Sequence, residues 1–88
     1  MIEREATIVN QEGLHARPAA RIVRLANSFA SEIELAKDGL AVNGKSIMGV
    51  MMLAAEHGSS ILIRADGADA EQAVQALAEL VASGFGEA

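Results

Sequence analysis

Near the amino end, Gly13 to Ala20 read GLHARPAA, which puts His15, Arg17 and Pro18 where a glycine turn gives way to a helix. Backbone N–H groups at a helix start lack intrahelical partners and carry partial positive charge, so an anion gains hydrogen bonds and favourable electrostatics there. With Ala16 as the first helical residue, His15 takes the N-cap, where serine, threonine or aspartate is usual. A phosphoryl group on His15 would supply the missing anion. Neutral imidazole is a competent nucleophile near neutral pH, and a helix N-terminus disfavours its protonated form. Arg17 offers a planar, permanently charged group able to hold phosphoryl oxygens at two points. Pro18 suits the first turn because the N–H it lacks would have had no intrahelical partner.

A residue of this type is more often an ordinary polar surface group, and the neighbouring proline and arginine are what favour chemistry here. Arg21 and Arg24 follow Arg17 along the same stripe, so three of the seven basic residues share one helix face. Taken alone, such a stripe reads as a solvated face; beside His15, with Ala20 between its arginines, it reads as a steering surface for an acidic protein. His57 reads as a partner for the C-terminal dipole of a short helix. Two histidines far apart in a chain without cysteine match no metal-ligand spacing, and no cofactor is implied.

A second segment competes for attention. Gly39 to Ser46, GLAVNGKS, fits the letters of a phosphate-binding P-loop, and Asp66 could pass for a magnesium-binding aspartate at a strand end. However, Leu40 to Asn43 look like a strand rather than a flexible loop, and so short a chain cannot surround a nucleotide. Ser46 is better placed as the cap of a helix from Ile47 to about Ala55, closed by Gly58. SIMGVMMLAA is apolar on nearly every side and admits two readings. Either Ile47, Val50 and Met51 belong to the core and the rest pack beneath loops, or Met48 and its neighbours form an exposed, adaptable docking patch. Phosphate on Ser46 would set charge beside that patch without unfolding the helix.

The elements that must position these residues follow from periodicity. Ile2 to Val9 alternate as a strand, and apolar residues at helical spacing run from Ala16 to about Asn27. Ile33 and Leu35 alternate with glutamates, and Asp38-Gly39 marks a tight hairpin to Leu40–Asn43. SILIRAD makes a fourth strand, Asp69 with Gln72 resembles a capping box for a helix over 70–83, and Gly84 ends it. The order βαββαβα, with no linker, predicts one α+β domain over 1–88: a four-stranded antiparallel sheet with three helices on one face.

Composition narrows the partners. The 88 residues carry a net charge of −5, no cysteine and only two aromatic residues. Acidity argues against nucleic acid and anionic lipid, scarce aromatics argue against base stacking, and no segment is apolar enough for membrane insertion. A cytoplasmic protein that acts as a monomer is expected.

Over essentially its whole length, the chain resembles the histidine-containing phosphocarrier (HPr) family of the bacterial phosphotransferase system. GLHARPAA, GKSIMGVMML and the element order carry the likeness. The resemblance implies an open-faced β-sandwich with strand order 1-4-2-3. It implies that enzyme I, charged by phosphoenolpyruvate, phosphorylates His15 at Nδ1, and that the group passes to a histidine of a IIA-type protein. Such a chain is a carrier rather than an enzyme. Arg17 would stabilise the phosphate, Ser46 would be the target of an HPr kinase/phosphorylase, and Ile47, Met48 and Met51 would dock partners. The ending SGFGEA resembles the nitrogen-related regulatory branch, whereas GKSIMGVMML resembles proteins controlled at serine.

Overall fold

The computed structural model describes residues 1–87. Strand β1 (Ile2–Thr7), helix α1 (Ala16–Asn27), strands β2 (Glu32–Lys37) and β3 (Leu40–Asn43), helix α2 (Ile47–Met52), strand β4 (Ser60–Asp66) and helix α3 (Ala70–Ala82) follow in order, and a short 3₁₀ turn, Gly84–Gly86, ends the series. The strands form one antiparallel sheet in the order β1-β4-β2-β3. β4, last in the chain, therefore lies between β1 and β2, and the expected open-faced α+β sandwich is present.

Alternation decides which sheet face is covered. Ile33, Leu35, Ile61, Ile63 and Ala65 point under the helices and are buried. On the opposite face Arg64 reaches across both neighbouring strands, donating from Nε to Glu3 at 2.8 Å and from Nη1 to Glu34 at 2.7 Å. The helices contribute Ala19, Ile22, Ala26, Val50, Val74, Leu77 and Val81 to the same core. Small alanines let backbones approach, so a core with only two phenylalanines still packs closely.

The hairpin forms as its letters require, with Asp38 at φ 50° and Gly39 at φ 84°, the two positive values of a type I′ turn. Other expectations need correction. β1 stops at Thr7, and as an edge strand it leaves Ile2 exposed, while Ala6 is half-buried and Ile8 fully buried. α2 ends at Met52, so Gly58 closes a later turn and His57 lies in that turn rather than on a helix end. Ile47 and Met51 are exposed, which removes them from the core; only Val50 of that helix is buried. The P-loop reading also fails. Leu40–Asn43 pair with β2, and Lys45 Nζ donates to Phe29 O at 2.8 Å instead of facing an anion cradle.

Asp69 is the N-cap of α3, yet its side chain makes no capping bond. Its carboxylate turns to the loop after α1, accepting from Ala30 N at 2.8 Å, Ser31 N at 2.9 Å and Ser31 Oγ at 2.5 Å. A buried serine with two donors competes better for the carboxylate than one helix amide. The Ser31 hydroxyl first, and then the Ala30 amide, hold the Asp69 carboxyl below the usual aspartate range. The unfolded chain therefore binds the extra proton. This contribution to stability is complete above the unfolded value near about 4 and is lost as pH falls through the lower folded value. Urea unfolding of the wild type and Asp69→Asn across this range should show a stability difference that is largest near neutrality and shrinks in acid.

Candidate functional site

His15 caps α1 in extended conformation, with φ −76° and ψ −173°, and its side chain makes no capping bond. Its carbonyl accepts the first intrahelical bond, from Ala19 N at 3.0 Å. Pro18 is buried and has no N–H, so the amides before Ala19 stay unclaimed by any cap side chain.

The turn that delivers His15 is fixed by Gly13. Its φ is +68°, and a Cβ there would lie 2.4 Å from Ala55 O. Leu14 N donates to that same carbonyl at 2.9 Å, which ties the histidine loop to the segment after α2. Leu14 is buried beneath it. The histidine ring, anchored on both sides, remains about one-third exposed, with a relative accessibility of 32%.

Around it opens a groove of about 350 Å³, lined by Gln11, Glu12, His15, Arg17, Arg21, Phe85, Gly86 and Glu87. Arg17 and Arg21 thus share the groove with His15. Arg24 continues the stripe beside Leu25, Ser28 and Leu80, in a separate groove that Arg21 also borders. Arg21 is partly engaged already, donating from Nη1 to Phe85 O. Ala20 is half-buried on the same helix.

Glu87 is the residue that the sequence concealed. Its Oε2 and Oε1 lie 3.2 and 3.4 Å from His15 Nε2. An ionised carboxylate only accepts, so Nε2 carries the proton and, in neutral imidazole, Nδ1 holds the lone pair. Seventy-two residues separate the pair, and nothing in local periodicity announces it. The signal lay in SGFGEA, where Gly84, Phe85 and Gly86 all have positive φ and bend the chain back after α3.

The second segment forms a distinct feature. Ser46 caps α2, accepting from Gly49 N at 3.2 Å, and is half-buried. Ile47 is 43% exposed, Met48 75%, Met51 44% and Met52 65%, so these side chains form an exposed apolar patch rather than core. α2 packs against α1, the helix that His15 caps. Among the described residues, no group of three or more His, Cys, Asp or Glu side chains could hold a metal ion, and no helix is long and apolar enough to cross a membrane.

A small α+β domain that presents a histidine at an uncapped helix start, in a groove shared with two arginines, has the chemistry to offer a nucleophile to an anionic group. Residues 2–83 match the family described as PTS HPr component phosphorylation site. Phosphocarrier protein HPr of Cupriavidus necator is 47% identical over 99% of this chain and 98% of its own. A crystal structure of HPr from Thermoanaerobacter tengcongensis superposes with TM-score 0.96 at 46% identity, covering 100% of this chain and 99% of that one. A structure of an HPr dimer from the same organism matches with TM-score 0.79 over 96% of this chain and 99% of that one, again at 46% identity. The chain belongs to the HPr family, the phosphocarrier proteins of the phosphotransferase system.

Gly13→Ala should be destabilised by more than about 1 kcal/mol in urea unfolding, because Ala must adopt φ +68° and collide with Ala55 O.

Proposed function

We propose that His15 of this phosphocarrier accepts a phosphoryl group at Nδ1 from phosphorylated enzyme I and passes it to a histidine of a IIA-type protein. The observation that carries this reading is the contact of His15 Nε2 with Glu87, which directs the ring's lone pair to Nδ1 at an uncapped helix start. Nδ1 attacks phosphorus, a new N–P bond forms, and the electron pair of the breaking bond leaves with the donor. The open amides and Arg17 receive the negative oxygens, and Pro18 fixes the helix to which those amides belong. The Nε2 proton remains facing Glu87, whose carboxylate offsets the positive charge of the phosphorylated ring, and onward transfer then releases the ring as neutral imidazole.

Docking uses Ala20, Arg21 and Arg24 with Ile47, Met48 and Met51. Apolar contact from α2 supplies affinity, and the arginines steer an acidic partner. An HPr kinase/phosphorylase acts on Ser46, whose phosphate sets a double charge against that apolar patch. The protein works as a monomer in the cytoplasm, with the His15 groove and the α2 face both open to partners. It serves the nitrogen-related, regulatory branch; efficient transfer to a sugar-specific IIA but not to a nitrogen-type IIA contradicts that assignment.

Incubation with enzyme I and phosphoenolpyruvate should give an acid-labile label that His15→Ala abolishes. Arg17→Ala should slow labelling roughly ten- to a hundredfold, as expected for a lost charge-assisted hydrogen bond. Absence of label on the wild type contradicts the carrier reading. Ser46→Asp should weaken enzyme I binding in calorimetry while leaving the circular dichroism spectrum unchanged.

A further inference from the structure

We propose that Asn10 is a positioning residue for this chemistry: its carboxamide holds Glu87 against His15 Nε2 and so keeps the imidazole in the tautomer that leaves Nδ1 nucleophilic. The inference rests on the reading of His15 as the phosphoryl acceptor, and it concerns a residue that touches neither the phosphoryl group nor the imidazole.

Asn10 is buried, with 5% of its surface exposed. Its Nδ2 donates to Gly13 O at 2.8 Å and to Glu87 Oε1 at 3.1 Å. Both partners are acceptors, so only the NH₂ group can face them, and a flipped amide would set oxygen against oxygen. The cost falls on the other side of the amide. Oδ1 is buried and has no partner among the described residues. Native proteins rarely leave a buried carbonyl unpaired, and an apolar residue here would avoid it. The fold keeps the orphan because two donors on one side chain join the loop before His15 to the carboxylate at its Nε2.

Backbone strain points to the same purpose. Phe85, the largest fully buried side chain, sits at φ +60°, a region that bulky residues rarely enter. Gly84 and Gly86, at φ +68° and +72°, flank it, and Arg21 donates to its carbonyl. Together these features carry the chain from α3 back to the groove and set Glu87 beside His15. Strain and unpaired polar groups collect where a geometry must be held for function. The Glu87 side chain is partly exposed, and without a second contact its carboxylate would be free to turn into solvent. Asn10 provides that contact.

A purely structural account is that Asn10 only closes the turn to Gly13, whose N–H donates to Asn10 O at 3.2 Å. Nitrogen-15 NMR of the neutral His15 ring separates the two. In the wild type the Nε2 and Nδ1 resonances should be far apart, as one tautomer requires. In Asn10→Ala and in Glu87→Ala they should converge, and in the double variant they should converge no further than in Glu87→Ala. Wild-type separation in Glu87→Ala overturns the proposal, whether or not Asn10→Ala folds. So does an unchanged ring in a folded Asn10→Ala, or a loss of stability without a change in the resonances. Failure of enzyme I to label His15 would instead remove the carrier reading while leaving the tautomer result intact.

Discussion

The start of α1 has amides that no side chain of its own caps, and most of the molecule can be understood as holding that opening in place. An uncapped helix end is unfavourable unless water or an anion meets it. Here the residue at the capping position is a histidine, which has the nucleophile to bring the anion with it. On the proposed function, the missing cap is tolerated in the resting protein and would become useful once the histidine carries a phosphoryl group.

The opening needs a rigid frame. Pro18 and Ala19 are buried in the first turns of α1, Leu14 is buried ahead of it, and Gly13 brings the loop against Ala55 at a distance no other residue allows. From the far end of the chain, Phe85 anchors a segment whose Glu87 reaches the ring. First and last segments thus meet at one imidazole. The sheet contributes indirectly: β4 lies between β1 and β2, which brings α1 and α3 side by side over one face. Arg21 on α1 can then hold Phe85 beyond the end of α3.

Features with a local cause were legible in the residues. Asp38-Gly39 dictates its turn, alternation marks the buried face of β2 and β4, and apolar spacing marks α1 and α3 close to their observed ends. The misread features depend on distant competition. Asp69 has the letters of a capping box, yet the loop at Ala30 and Ser31 offers three donors and takes the carboxylate. α2 is apolar all round, and only packing could decide that Val50 is buried while Ile47 and Met51 face outward. The pairing of Glu87 with Asn10 shows in no local periodicity, because it spans 77 residues and is made only in the folded chain.

On the proposed function, this fold directs the phosphoryl group to one nitrogen of one histidine. Nitrogen-15 and phosphorus-31 NMR of the protein after reaction with enzyme I and phosphoenolpyruvate tests it most directly. One-bond nitrogen–phosphorus coupling is expected at Nδ1 of His15, with the proton retained on Nε2. Coupling at Nε2, or phosphorus on any residue other than His15, would contradict it.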